Sequence, residues 1–160
     1  NIGPALRNIN FPTLSLLFLH PGNRSRFAWK RGGKRWFGKT ETVELDFEEI
    51  ARPTLVDQGG KGDLPARGRF WVDPARGTVA RAEVTFRFEP ARARAYVATE
   101  YVPDAKLALW VPSEMREEYD DLPGAMPRLF GTPSEATARY SNFRRFSVSI
   151  DDEQATLPKE

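Results

Sequence analysis

The chain has 160 residues, of which 40% are hydrophobic and 29% charged, with a formal net charge of +2. That size and balance suit one folded core and exclude both a polar disordered tail and a bundle of membrane helices, since no apolar run approaches the roughly 18 residues a span requires. With no cysteine in the sequence, a disulfide framework, a thiol nucleophile and Cys-ligated zinc or iron–sulfur centres are all ruled out.

Charge is unevenly spread. No Asp or Glu precedes Glu41, whereas eight Lys or Arg do, so a basic N-terminal quarter is joined to an acidic remainder. A single domain over 1–160 is expected, with a helical N-terminal segment (1–22), an antiparallel sheet (23–150) and a tail (151–160). Residues 12–20 predict a short helix: Pro12 suits a first helical position, Asn10 a cap, and Pro21-Gly22 a stop. Leu14, Leu16, Leu17, Phe18 and Leu19 leave hardly any polar face, so burial is expected. A buried strand is the alternative, because short apolar runs do not discriminate by period.

Strand signals follow. Arg26 to Arg31 alternates around Phe27 and Trp29, and Gly32-Gly33 predicts a two-residue hairpin turn, with Trp36 and Phe37 on the return strand. Val43, Leu45 and Phe47 alternate with Thr42, Glu44, Asp46 and Glu48, which predicts one greasy and one wet sheet face. From Asp57 to Gly68 the glycine-rich stretch reads as a mobile surface loop and lacks the spacing of a phosphate-binding loop. Arg69 to Asp73, the turn Pro74-Ala75-Arg76-Gly77, and a long strand from Thr78 to Glu89 form the strongest hairpin; Ala82, Val84, Phe86 and Phe88 alternate with Arg81, Glu83, Thr85 and Arg87. Further strands are predicted over Arg94 to Val102, Leu107 to Val111 and Ala136 to Ile150. The chain is expected to turn at Pro103-Asp104, to loop from Met115 to Pro133 around its prolines and glycines, and to bulge near Phe143 so that Asn142 and Arg144 leave the apolar face.

Reactive residue types are scarce. His20 is the only histidine, so no Ser-His-Asp, Cys-His or His-pair constellation can form within one subunit; beside Pro21 it reads as a packed helix-terminal residue. Glu114, Glu117, Glu118, Asp120 and Asp121 form an acidic cluster without the spacing of a calcium loop, which reads as a solvated stretch. Glu44, Asp46, Glu48, Glu83 and Glu100 alternate onto solvent faces opposite Arg81 and Arg87, where cross-strand ion pairing explains them better than paired-carboxylate catalysis. No catalytic residue, metal site or cofactor is expected.

The basic stretch Arg24, Arg26, Lys30, Arg31, Lys34, Arg35 and Lys39 is interleaved with Phe27, Trp29, Trp36 and Phe37. Cations among aromatics suit single-stranded nucleic acid or anionic lipid headgroups. Alternation offers a plainer account, in which the aromatics point into the core and the cations coat the exposed side of a hairpin.

Three segments carry a resemblance. Phe70-Trp71-Val72-Asp73-Pro74-Ala75-Arg76-Gly77-Thr78-Val79-Ala80-Arg81 resembles a hairpin of the outer-membrane lipoprotein-sorting and lipoprotein-carrier superfamily. Leu109-Trp110-Val111-Pro112-Ser113-Glu114-Met115 and Tyr140-Ser141-Asn142-Phe143-Arg144-Arg145-Phe146 are similar to segments of secreted bacterial proteins of that kind. The resemblance implies a mainly β fold, a strongly curved antiparallel sheet forming an unclosed half-barrel with a short N-terminal helix, in a periplasmic or secreted setting. It also implies a non-enzymatic binding domain whose inner sheet face carries a lipid or acyl ligand or contacts a partner protein, with Phe47, Val84, Phe86, Phe88, Tyr140 and Phe146 lining that face. The alternatives are nucleic-acid or anionic-surface binding through residues 24–39, of which peripheral contact with an anionic membrane is one form, and service as one domain of a longer secreted protein.

Overall fold

A computed structural model describes residues 11–57, 62–88, 92–122 and 132–146. Within them, seven strands form one antiparallel sheet in simple sequence order, and the sheet does not close into a barrel. The strands are β1 (Phe27–Phe37), β2 (Thr40–Glu49), β3 (Ala66–Asp73), β4 (Thr78–Phe88), β5 (Ala93–Asp104), β6 (Leu109–Asp121) and β7 (Ser134–Arg139). Each pairs with the next, so the turns β1–β2, β3–β4 and β5–β6 gather at one end of the sheet.

One face carries the core. Phe47, Phe70, Ala82, Val84, Phe86, Ala95, Val97, Met115 and Tyr119 are buried in one cluster, following the period-two alternation expected for β2 and β4. The N-terminal segment lies on this face as a 3-10 helix, Leu14–Leu19, with Leu14, Ser15 and Phe18 buried. Confined between Pro12 and Pro21, the run is too short to repay α-helix nucleation, and i to i+3 bonds suffice. Leu16 N–H donates to the Thr13 carbonyl at 3.1 Å, and His20 N–H to that of Leu17 at 3.2 Å. Phe18 is wholly buried, its ring centroid 5.0 Å from Phe27 and 5.5 Å from Phe47. The Tyr101 hydroxyl donates to the Pro12 carbonyl and ties this segment to β5. Asn10, the expected cap, lies outside the described residues.

Several boundaries differ from expectation. Gly32-Gly33 does not turn the chain; β1 runs straight through it, with a register irregularity between Arg31 and Lys34, and Trp36 and Phe37 stay on the same strand. A Cβ on Gly32 would lie 2.9 Å from that of Glu44, so glycine there lets β1 approach β2 closely. The turn comes at Gly38-Lys39, where Gly38 has φ +58° and Phe37 pairs with Thr40. Thr42, buried, donates to the Arg35 carbonyl at 2.8 Å and braces the irregular stretch.

The base of the β2–β3 connection is held rather than mobile. Asp63 accepts the Thr54 N–H at 2.8 Å, Leu64 N–H donates to the Thr54 hydroxyl at 2.7 Å, and Leu64 is buried. Residues 58–61, most of the glycine run, lie outside the described residues.

Asp104 pairs with Leu109, so β5 continues past Pro103 and the turn falls at 105–108, where Asp104 accepts the Leu107 N–H at 2.9 Å. β6 then runs to Asp121 through the acidic cluster that reads as a loop in the sequence. Its outer-face charges are spoken for across strands: Arg139 meets Glu114 at 3.1 Å, Arg116 meets Glu135 at 3.0 Å, and Arg94 meets Asp120. Glu117 is buried instead. It points to the core side, 5% exposed, and accepts the Tyr119 hydroxyl at 2.8 Å. β7 ends at Arg139, well short of the strand expected over Ala136 to Ile150, and Asn142 adopts φ +59° beyond the sheet. Residues 123–131, the expected tail 151–160 and positions 147–150 lie outside the described residues.

Candidate functional site

Of the six residues expected to line a ligand-binding inner face, Phe47, Val84 and Phe86 are buried, and Phe88 and Tyr140 are partly buried against the same cluster. Phe146 does not belong with them: it lies past the end of β7, 84% exposed. Between the 3-10 helix and the sheet, bounded by Leu14, Ser15, Ala82, Val84, Phe86 and Val97, the free volume is about 10 Å³. That is roughly room for one water. Burial pushes the Tyr101 and Tyr140 phenols above their ordinary value of 10.0, so both are neutral hydrogen-bonding groups at the margin of this core.

The outer face is a lattice of ion pairs. Arg81 reaches Glu100 at 2.6 Å and Glu83 at 2.8 Å, and its guanidinium lies 5.7 Å from the Trp71 ring and 5.9 Å from that of Phe37. Arg69 meets Asp46 at 2.5 Å and Glu44 at 3.5 Å, with Trp71 at 5.8 Å. Glu44, Asp46 and Glu100 are therefore met by arginines across strands, as alternation predicts, and Glu83 by Arg81 of its own strand. A shallow groove of about 590 Å³ runs over this face past Lys30, Asp46, Glu48, Arg67, Arg69 and Glu83. Its charges alternate in sign and give it no preference for an anion or a cation.

The basic stretch does not form one surface. Arg26 turns toward Glu49 at 3.7 Å, Arg35 reaches Glu44 at 3.4 Å, and Lys34 reaches Glu41 at 2.6 Å. Lys30 lies on the outer face; Arg24, Arg31 and Lys39 are exposed at separate points along β1 and its flanks. Among the described residues β1 is the edge strand of the sheet, and much of this charge protects that edge, since lysine, arginine and a bulge discourage strand addition. Phe27 is buried and Trp29 packs against the core as expected, but Trp36 is 71% exposed. The register irregularity at Gly32-Gly33 turns Trp36 to the core side of the sheet, with Lys34 and Glu41, but its place at the turn-bearing end leaves it beyond the reach of the core.

The end where the β1–β2, β3–β4 and β5–β6 turns converge does concentrate unusual chemistry. A groove of about 610 Å³ is bounded by Lys34, Trp36, Lys39, Glu41, Asp73, Arg76, Pro103 and Trp110. Trp36 and Trp110 both face the core side of the sheet but lie at its rim. Cations outnumber exposed carboxylates in the lining of this groove, where Glu41 is joined to Lys34. The Lys34 and Arg76 side chains are 73% and 69% exposed, whereas that of Asp73 is 4% exposed, folded into its turn to accept the Ala75 N–H at 2.8 Å and Arg76 Nη1 at 2.8 Å. The Arg76 hydrogen bond, with the Ala75 and Arg76 amides, holds the Asp73 carboxyl below its ordinary 3.8.

In the sequence Lys34, Lys39 and Trp36 belong only to the basic stretch, and Arg76, Pro103 and Trp110 to separate hairpins, with nothing to give them a shared location. Their proximity follows from meander parity, by which alternate turns fall on one end of a simple up-and-down sheet. His20 is exposed at the end of the 3-10 helix, its Nδ1 accepting the Gly22 N–H at 3.2 Å. Among the described residues no three His, Asp or Glu side chains gather to hold a metal ion. No protein-family model, curated protein or solved structure matches this chain.

Proposed function

We propose that this chain is a binding domain that contacts an anionic surface through the end of the sheet formed by its β1–β2, β3–β4 and β5–β6 turns. The observation that carries this reading is Trp36, left 71% exposed beside Trp110 in a groove where Lys34, Lys39 and Arg76 outnumber the one exposed carboxylate of its lining, Glu41, which Lys34 holds at 2.6 Å. A large indole held in water contributes nothing to the core, and its amphipathic ring is suited to an interface that is apolar on one side and wet on the other. The cations beside it supply attraction that falls off within a Debye length of about 10 Å at moderate salt.

An acyl chain on the inner face, which the lipoprotein-carrier resemblance implies, has less support. Phe18 already occupies the space over β1 and β2, and Leu14 the space over β4 and β5, that such a chain would need, and the cavity left beside Leu14 is about 10 Å³.

The test is retention on phosphocellulose under a salt gradient. Wild type is expected to elute later than a Lys39→Glu/Arg76→Glu variant, while Lys30→Glu/Arg67→Glu, with the same net charge but altered on the outer face, elutes near wild type. Equal loss of retention in both variants would show net charge rather than the turn-bearing end at work.

A further inference from the structure

We infer that the anionic surface is a lipid bilayer, with Trp36 and Leu109 entering the headgroup layer while Lys39, Arg76 and Lys106 rest on anionic headgroups; this rests on the reading of the turn-bearing end as the binding surface. Three observations separate a bilayer from single-stranded nucleic acid, the other polyanion that cations and aromatics suit.

First, the apolar groups exposed here are not all flat. Leu109 is 62% and Val102 44% exposed, and neither offers the π face on which a base stacks. Aliphatic and indole side chains together are what an interfacial lipid contact takes up.

Second, they occupy both sides of the sheet's end. Trp36 and Trp110 lie on the core side, whereas Leu109 pairs with Asp104, and Val102 with Val111, on the outer side. A strand of nucleic acid tracks along a groove on one side. A bilayer receives the whole end of the sheet, edge-on, so residues on both sides reach it together.

Third, the acidic groups at this end are engaged. Asp73 is folded into its turn, Asp104 accepts the Leu107 N–H, and the exposed Glu41 is joined to Lys34 at 2.6 Å, while Lys39, Arg76 and Lys106 are exposed. Each Lys or Arg brought to an anionic leaflet attracts it, and a buried carboxylate beside them spares most of the repulsion.

The experiment is co-sedimentation of the chain with phosphatidylcholine vesicles and with vesicles containing about one-third phosphatidylglycerol, with binding to a single-stranded oligothymidine measured in parallel. The expected result is binding to the anionic vesicles and not to the neutral ones, a blue shift of tryptophan emission, and a loss of about tenfold or more in partitioning for Trp36→Ala and for Leu109→Ser. Both positions are exposed, so the variants are expected to fold, and a thermal melt coincident with wild type confirms it. Quenching by lipids brominated near the headgroup, in wild type but not in Trp36→Ala, is a second readout independent of affinity. Vesicle binding undiminished in both variants overturns the inference. Oligonucleotide binding without vesicle binding also overturns it while leaving the anionic-surface reading intact; binding to neither removes both.

Discussion

Gly68 of β3 lies so close to the Glu83 carbonyl of β4 that a Cβ at position 68 would collide with its oxygen, stand 2.9 Å from its carbon and come 3.0 Å from the Phe47 ring. Backbone cannot retreat as a flexible side chain can. Gly68→Ala is therefore expected to cost about 3 kcal/mol or more, as overpacking at a rigid wall does. Urea denaturation is the check, and a midpoint within error of wild type would mean that β3 and β4 separate freely.

Glycines 33 and 38 locate the first turn. Around Gly33 a Cβ meets nothing within 4 Å, while Gly38 holds φ +58°. Gly38→Ala should then destabilise by about 1 kcal/mol, the cost of a left-handed conformation in a residue with a Cβ, and Gly33→Ala by less than about 0.5 kcal/mol. The reverse order of thermal midpoints would place the turn at Gly32-Gly33 after all.

Phe18 tests whether the 3-10 helix is part of the core or a removable cover. It is wholly buried against Phe27 and Phe47, so Phe18→Ala is expected to cost about 3 to 5 kcal/mol. A detachable cover would instead leave the equilibrium midpoint of the sheet unchanged, as read by far-ultraviolet circular dichroism during denaturation.

Asp73 sets an acid sensitivity. Its hydrogen bond from Arg76, and those from the Ala75 and Arg76 amides, lower its carboxyl below the ordinary 3.8. The unfolded chain thus takes up this proton more readily than the folded one, so the stabilisation is complete above pH 3.8 and drains away as pH falls through the lower folded value. The gap in denaturation midpoint between wild type and Asp73→Asn should be widest near neutrality and shrink toward pH 3. A gap of constant size would place the role of Asp73 in shape alone.

What the sequence determined by itself is the alternation. Val43, Leu45 and Phe47, or Ala82, Val84 and Phe86, reach one face because the pleat repeats every two residues whatever lies alongside, and Pro74 with Gly77 closes a turn on purely local grounds. The same locality puts Glu44, Glu83 and Glu100 on the outer face, although Glu44 and Glu100 meet Arg69 and Arg81 only through the cross-strand register. Only the tertiary structure decided whether Gly32-Gly33 bends a strand or ends it, because that depends on how near Glu44 of the neighbouring strand comes. It also decided that Glu117 is buried, since the Tyr119 hydroxyl is there to meet it. And it brought Trp36 to Trp110, nearly half the chain apart in sequence, because cross-strand register accumulated over six strands fixes which turns share an end, and no local window of sequence contains that sum.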